Sequence, residues 1–522
     1  MSRATQTALV RDDRTAYEAA AGLAVGLSGV AFAVGLAALL DVVSIDDPVA
    51  GVELPVAFGA VLLALGASVV AFGAVSRLDY VDTGPQPSAG LVAAAAFTAI
   101  WFAVGAAVSG ALGLGTVGRF GVGAALAGVG FATTAFPRED VGSTVPAGVV
   151  AALCGLALLS GVVGPGWERP LAGYNATLFG DTVVPVVVLF ASLVTGWSGA
   201  KAYGGFGARG RNVGAYVLIY LVVGSILAVL VGLVAFVTAK GLPGLFNGFG
   251  LGGASLLRWP FLTNGAGLLA DIAGVFPALM GTIWLVVGAV LFAVPTGVGA
   301  AVFLSEYAEQ GRFTGAVEVA TNGLWSTPSI VFGLFGAAFL IPRFGNQKSL
   351  IAGMLTLGFM LLPLVLITSR EAILAVPDEY RDASAALGVS KWQTIRSVVL
   401  PAAIPGVTTG VILGVGRIAG ETAPILLTMG GGVLPAKSAA PNVMTGFRLS
   451  TSPPFVSNPA LLEATSALPY QLYALITAGL SGNIQNPQEY AWGLALTLLL
   501  VVLVFYAVGI ATRYYFRRKL HQ

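Results

Sequence analysis

Residues 377–401 read P-D-E-Y-R-D-A-S-A-A-L-G-V-S-K-W-Q-T-I-R-S-V-V-L-P, and they separate two long apolar runs of the chain. Pro377 is suited to open a helix, because its missing N–H is not needed in a first turn. Gly388 can take the left-handed conformation that ends a helix, and Ser390 and Gln393 have capping-box spacing. The pattern predicts two short helices joined at a glycine and held between two membrane spans.

This stretch also has the features of a docking element. Small side chains at 383–386 keep the first helix slim, so that a partner can approach closely. Apolar anchors for such a partner follow at Leu387, Val389, Trp392 and Ile395.

The composition is that of an integral membrane protein. Of 522 residues, 57% are hydrophobic and 10% are charged, and the mean hydropathy is +0.88. Soluble proteins carry about 25% charged residues. Long apolar runs with short polar joints indicate a helical bundle rather than a β-barrel. We therefore expect an all-α polytopic membrane protein, with lipid around it and no nucleic-acid partner.

Chemistry based on cysteine or histidine is not expected. The single cysteine, Cys154, lies within an apolar run, and the single histidine, His521, is the penultimate residue. We predict no disulfide, no metal site and no catalytic residue. The first apolar run is too long for a cleavable signal, so we expect it to be a retained first span.

The apolar runs predict about twelve membrane helices, because each is close to the ~20 residues that cross a bilayer. A glycine-rich basic joint, 201–212, divides them. We expect a membrane region of about six helices at 1–200, with that joint as a cytoplasmic linker. A six-helix core at 213–515 and a tail at 516–522 follow. The predicted spans are 17–40, 54–75, 90–112, 118–136, 144–164, 183–199, 213–239, 278–304, 319–341, 349–369, 401–428 and 489–512.

The basic residues predict the orientation in the cell membrane. With the amino terminus inside, Arg77, Arg138, the 201–212 joint, residues 377–399 and the 513–519 tail all fall on the cytoplasmic side. Both termini and the stretch at 377–401 are then cytoplasmic.

Two long segments, about 240–277 and 429–488, fall outside in this layout. Within the second, residues 461–480 are apolar enough to dip into the membrane. Loops of this length are usually functional or disordered, and docking of an external partner is one use for them.

The stretch at 377–401 resembles the coupling motif of importer permeases of the ATP-binding-cassette class. That motif is E-A-A, three residues, G, nine residues and I-x-L-P. Asp replaces Glu here, Ser replaces the second Ala and Val replaces Ile, and the spacing is kept. The matching residues are Asp382, Ala383, Ser384, Gly388, Leu400 and Pro401.

Further stretches resemble phosphate-specific permeases of the PstA type. The resemblance covers roughly residues 213–515, whereas residues 1–200 resemble nothing in that family. We leave the role of residues 1–200 open, with a non-transporting anchor or a regulatory bundle as one alternative. The stretches that carry the resemblance are 294–308, 326–336, 416–428 and 467–473.

The resemblance implies a permease subunit that moves inorganic phosphate inward by alternating access. It implies two cytoplasmic ATP-binding-cassette subunits that bind ATP and Mg, a second homologous permease and an external phosphate-binding protein. No cofactor is implied in this chain. Residues 382–401 would then be a coupling helix rather than an ordinary solvated loop. Two alternatives remain: a permease for another oxyanion, such as molybdate, sulfate or phosphonate, and an ion-coupled secondary transporter.

The run after Pro401 carries a stripe of small residues. Gly406, Gly410 and Gly414 repeat every four residues, which permits close helix packing. Arg417 and Glu421 continue the same helical face, and Arg417 lies about 24 Å from Pro401 if the helix is straight. A membrane-embedded arginine must face protein or water. We expect either an anion pathway at Arg417, neutralised by Glu421 when empty, or a structural ion pair.

Three hydroxyl residues surround Pro328 in the predicted span 319–341, namely Ser326, Thr327 and Ser329. They can line the pathway and donate hydrogen bonds to oxyanion oxygens. The alternative is that they satisfy backbone carbonyls freed by the proline kink.

Overall fold

The structure, a computed structural model, divides the chain into two compact units, Met1–Leu233 and Val234–Gln522. It describes residues 16–46, 48–49, 51–111, 113–170, 175–251, 257–266, 272–309, 311–432, 435–452, 455–478 and 486–520.

In its described residues, the first unit contains six complete helices and most of a seventh. Two-stranded antiparallel hairpins, β1–β2 (Pro48–Val49 and Val52–Glu53) and β3–β4 (Glu168–Pro170 and Thr177–Phe179), join neighbouring helices. The helices are α1 (Ala16–Leu39), α2 (Leu54–Arg77), α3 (Leu91–Ala111), α4 (Thr116–Ala135), α5 (Glu139–Leu159), α6 (Gly180–Tyr203) and α7 (Gly207–Leu245).

One arrangement occurs twice in this unit. Helix α1 leads through β1–β2 into α2, and α5 leads through β3–β4 into α6. Left-handed residues, Asp41 at φ 56° and Gly161 at φ 70°, follow the ends of α1 and α5 at equivalent places. Helix α1 packs along α6 and α2 along α5, so each copy covers an apolar face of the other.

A buried ion pair connects three of the segments that lie between helices of the first unit. The Lys201 ammonium lies 2.8 Å from Oε1 of Glu139, and both side chains are almost fully buried. The other oxygen of Glu139 accepts the backbone N–H groups of Gln86 and Gly207, each at 3.0 Å. Lys201, the first residue of the predicted basic joint, is therefore held inside α6, and α7 is already helical from Gly207.

The second unit contains the remaining helices and two small hairpins, β5–β6 (Gly250–Leu251 and Leu257–Arg258) and β7–β8 (Arg448–Leu449 and Val456–Ser457). Its helices after α7 are α8 (Pro260–Thr263), α9 (Phe276–Val302), α10 (Arg312–Ser326), α11 (Ser329–Phe335), α12 (Leu350–Leu374), α13 (Asp378–Ala386), α14 (Lys391–Thr394), α15 (Leu400–Ala419), α16 (Ala423–Thr428), α17 (Pro459–Leu462), α18 (Leu468–Ala478) and α19 (Pro487–Leu520).

Helix α12 is the centre of this unit and packs against α9, α10, α11, α15 and α16. Its apolar side chains Leu357, Leu361 and Val365 are completely or almost completely buried among residues of those neighbours. The surrounding lipid is as apolar as these side chains, so packing rather than the hydrophobic effect holds such helices together.

Ten helices in the described residues are long and apolar enough to cross a membrane, or eleven if one bent pair is a single span. The prediction of a polytopic all-α protein is confirmed, with a lower span count. Helix α4 does not qualify, since glycines, threonines and Arg119 dilute its apolar residues. The predicted span 319–341 is not one helix, because α10 and the helix at Ser329–Arg343 are bent by 103°.

Helix α15 approaches α12 closely along its glycine stripe. A Cβ added at Gly406 would lie 2.6 Å from the Cβ of Ala372, and one at Gly410 or Gly414 would overlap side chains outright. The neighbours that face these two glycines are Thr368 and Leu361 of α12. The backbones can come this close only because the stripe carries no side chains.

We expect Gly410→Ala to destabilise the protein by about 1–3 kcal/mol, because the new methyl group forces α15 away from α12. Thermal unfolding in detergent measures this loss. Gly420→Ala is the matched control, since a Cβ there meets open space. Equal unfolding temperatures for the two variants would show that this packing is not tight.

Candidate coupling segment and intramembrane charge pairs

The segment between α12 and α15 contains the two short helices that the sequence predicts, joined at Gly388. It differs from the prediction at each end. Pro377 is the N-cap of α13 rather than its first residue, and Asp378 and Glu379 occupy the first turn. Gly388 has φ +74°, the left-handed conformation that ends a helix. The backbone N–H of Ser390 then donates to Oε1 of Gln393 at 3.2 Å and starts α14.

The second short helix is not separate from the span that follows it. Helix α14 continues through a π-helical turn, Ile395–Val399, into α15, which gives one helix at Lys391–Ala419. Pro401 has no N–H to donate, and in the wider turn Leu400 N–H donates to the carbonyl of Ile395, five residues back. A π-turn of this kind lets a helix pass a proline without ending.

Arg381 holds α13 against the rest of the unit. Its guanidinium lies 2.8 Å from Oε1 of Glu306, a buried carboxylate in the turn after α9. It also donates to the carbonyls of Val376 at 2.7 Å and Ile373 at 3.1 Å, which lie at the end of α12. Through one side chain the segment is therefore joined to two helices at once.

A second cation supports the same attachment. The Lys391 ammonium lies 5.0 Å from the ring centroid of Tyr307, next to Glu306. The sequence motifs did not predict a role for Arg381 or Glu306. Glu306 falls within one of the stretches that carry the family resemblance, 294–308, and Arg381 directly precedes Asp382. These two positions in the sequence were the only indications that Glu306 and Arg381 have a role.

The outer face of the segment is exposed. Asp382 and Ala383 face outward, and Leu387 and Trp392 are 82% and 54% exposed although they are apolar. Ile395 was expected to be a further anchor, but it is buried in the protein's own core with Val399 and Ala403.

The remaining motif residues are less accessible. Ser384 is buried, and its hydroxyl donates to the carbonyl of Tyr380 at 2.9 Å. Leu400 and Pro401 are half-buried at the start of α15. Of the motif, only Asp382, Ala383 and Gly388 are therefore exposed; together with the exposed apolar residues beside it, Asp382, Ala383, Leu387 and Trp392 are called the ridge below.

Arg417 and Glu421 form an ion pair at 3.8 Å near the far end of α15. The guanidinium also lies over the ring of Trp325 in α10, 4.3 Å from its centroid. Helix α15 ends at Ala419, so Glu421 does not continue the helical stripe as we expected. The Arg417 side chain is 37% exposed and that of Glu421 is 18% exposed.

The three hydroxyl residues lie at the sharp bend between α10 and α11. Ser326 and Thr327 both donate to the carbonyl of Gly323 at 2.9 Å, as expected if they satisfy the backbone beside a proline. Ser329 begins α11. Trp325 immediately precedes them, so the bend and the Arg417 pair belong to one site.

No metal site accompanies these residues. Within the ranges that the structure describes, no three histidine, cysteine, aspartate or glutamate side chains lie close enough together to hold a metal ion.

Comparison with known proteins gives the class. Residues 293–522 match the family described as "Binding-protein-dependent transport system inner membrane component". A probable ABC transporter permease protein, YqgI of Bacillus subtilis (strain 168), is 37% identical over 199 residues, which cover 38% of this chain and 68% of that protein. The chain is thus a multi-pass permease subunit of an ATP-binding-cassette importer, and it belongs to this inner-membrane component family. Such subunits are not themselves enzymes.

The similarity is more specific than the class. Phosphate transport system permease protein PstA 1 of Mycobacterium tuberculosis (strain CDC 1551 / Oshkosh) is 35% identical over 233 residues, 44% of this chain and 67% of that protein. PstA of Mycobacterium leprae (strain TN) is 35% identical over 251 residues, 47% of this chain and 72% of that protein. The resemblance to PstA-type permeases is confirmed.

Solved importers share less with the chain. An inward-facing structure of the MetNI methionine ABC transporter has 18% identity and a TM-score of 0.34, with coverage of 47% of this chain and 94% of that one. A bacterial alginate ABC transporter complex has 15% identity and a TM-score of 0.36, with coverage of 56% and 92%. The family assignment does not depend on these low scores.

We expect Arg381→Gln to lower the free energy of unfolding by about 2 kcal/mol, because Glu306 is left buried without its cation. Adding Glu306→Gln should recover part of that loss. Thermal unfolding of both single variants and the double variant gives the coupling energy, expected at roughly 1 kcal/mol or more. Arg343→Gln, at an exposed arginine of the same unit, is the control. Strictly additive losses would contradict the attachment.

Proposed function

We propose that the chain is the permease subunit of an ATP-driven importer of inorganic phosphate. One observation supports phosphate in particular, and a second supports an oxyanion in general. Two of the relatives are named as phosphate transport permeases. In addition, Arg417 belongs to the helix at Lys391–Ala419, which is long and apolar enough to cross a membrane, and an arginine in such a helix is a candidate functional residue. The placement of Arg417 is the observation on which the proposal depends most.

The geometry at Arg417 suits a transient anion site. Its own carboxylate partner, Glu421, is 3.8 Å away, longer than a close charge-assisted hydrogen bond. The guanidinium carbon lies 4.3 Å from the ring centroid of Trp325, and because the Arg417 side chain is 37% exposed, we infer that its N–H edge is accessible to oxygen atoms. A dianionic phosphate can compete with Glu421 for that edge, and Glu421 neutralises the arginine again after the anion has left.

The segment from α13 to α14 supports the energy-coupling role. Two cytoplasmic ATP-binding-cassette subunits would bind ATP and Mg, and one of them would receive the exposed ridge of Asp382, Ala383, Leu387 and Trp392. A second homologous permease and an external phosphate-binding protein would complete the transporter. Both termini and this segment would be cytoplasmic. Rocking of the segment would move α9 and α12 together through Arg381, which is the basis of alternating access.

Two other functions remain as alternatives. One is the same transporter class with sulfate, molybdate or phosphonate as the substrate, because a guanidinium recognises any tetrahedral oxyanion. The other is uptake driven by an ion gradient, which has no use for the exposed ridge between α12 and α15. Competition and ATP depletion distinguish both from the proposal.

Arg417→Lys should reduce phosphate uptake roughly tenfold or more, because lysine keeps the charge but lacks the planar fork. The measurement is ATP-dependent uptake of labelled phosphate by the purified complex in proteoliposomes, with Glu421→Gln in parallel and Arg343→Lys as the control. Normal phosphate uptake in both Arg417→Lys and Glu421→Gln would refute the proposal that Arg417 lines the anion pathway. Stronger competition by sulfate or molybdate than by phosphate would reassign the substrate.

Leu387→Asp should reduce the amount of co-purified ATPase roughly tenfold, because it places an unpaired charge in the centre of the docking ridge. Met444→Asp is the matched control, since Met444 is also apolar and 76% exposed but lies elsewhere in the unit. The ratio of ATPase to permease after affinity purification is the readout. If both variants retain the ATPase equally, the ridge is not the docking surface.

A further inference from the structure

A second arginine lies in the same unit, in a pocket separate from the Arg417 site. Arg370, on α12, lines a cavity of about 170 Å³ between α10 and α12. The polar lining also includes Glu318, Thr321, Asn322 and Glu371, and the rest of the lining is aliphatic. The cavity lies near the end of α12 that leads into α13.

The guanidinium in this cavity is only partly satisfied. Its Nη2 lies 2.7 Å from Oε1 of Glu318, while its Nε is buried without a hydrogen-bond partner. A guanidinium has five N–H donors, so one carboxylate does not use them all. An unmet donor of a charged group is unfavourable unless something else binds to it.

The carboxylate partner is free to leave. The Glu318 side chain is 44% exposed, whereas that of Arg370 is 17% exposed. If Glu318 turns towards water, the N–H group of Arg370 that it occupied becomes available in addition to the unpartnered Nε, and Glu371 is the carboxylate that remains in the lining. These two N–H donors suit a tetrahedral oxyanion.

One face of α10 connects the two arginines. Glu318, Thr321, Asn322 and Trp325 follow one another at helical spacing, so they lie on the same face. Trp325 supports Arg417 and Glu318 pairs with Arg370. Seven residues separate the two contacts, which corresponds to about 10 Å along a helix.

We propose that the cavity at Arg370 is a second oxyanion-binding site, reached along this face of α10, in which the anion displaces Glu318 from the guanidinium. The inference rests on the proposed function, because it adds a second anion-binding site, near the segment between α12 and α15, to the pathway at Arg417. Each arginine then has its own carboxylate, which restores neutrality whenever the anion moves on.

Protection of a reporter cysteine tests the site directly, with inorganic phosphate as the probe. Asn322→Cys in a Cys154→Ser background places a thiol at the cavity wall of the full complex. N-ethylmaleimide is neutral, so charge substitutions do not attract or repel it. We expect phosphate to slow the modification of Asn322→Cys. Gly315→Cys, on the same helix where an added side chain meets open space, is the control and should react at one rate throughout.

Two charge substitutions distinguish a binding site from a structural ion pair. Arg370→Gln should remove the protection. Glu318→Gln should lower the phosphate concentration that gives half protection by roughly tenfold, because the competing carboxylate is gone. A structural pair predicts that both variants change protection in the same direction. That result, or no protection by phosphate in the unsubstituted complex, would overturn the proposal.

Uptake by the same complexes separates this inference from the proposed function. A complex that imports phosphate but shows no protection at residue 322 refutes the second site alone. Protection by phosphate in a complex that imports none refutes the proposed substrate and leaves the second site standing.

Discussion

The contact between Arg381 and Glu306 is the constraint that attaches the segment between α12 and α15 to the rest of the second unit. A single guanidinium bonds a buried carboxylate after α9 and two carbonyls at the end of α12. Because one side chain makes all of these bonds, we expect a movement of α13 to act on both helices. The second half of the segment is attached through Lys391, the buried Ile395 and its continuation into α15. The outer ridge of the segment is left free for a partner.

Two arginines in the apolar helices of this unit are paired in the same way. Arg417 and Arg370 each have a nearby carboxylate, and each carboxylate is held loosely or is exposed. A buried unpaired cation would be costly, whereas a fully satisfied ion pair could not accept a passing anion. The sharp bend between α10 and α11 brings Trp325 against one of these arginines. The bend is therefore part of the electrostatic arrangement.

Local signals in the sequence predicted what depends on a few neighbouring residues. Gly388, Ser390 and Gln393 act on their own turns, so the form of the coupling segment could be inferred without tertiary information. Contacts between distant residues could not. Arg381 and Glu306 are 75 positions apart, and the direction of Arg417 depends on a tryptophan in another helix. The 103° bend was hidden because a proline within an apolar run reads equally well as a mild kink.

The exposed Leu387 and Trp392 have a consequence for the living cell. They project from the stretch between α12 and α15, where this chain leaves them exposed. Until another subunit covers them, they form an exposed apolar patch that favours aggregation of the newly synthesised protein. If the proposed ATPase subunit covers them, permease made in excess of that subunit would burden quality control, and balanced synthesis of the two subunits would prevent this.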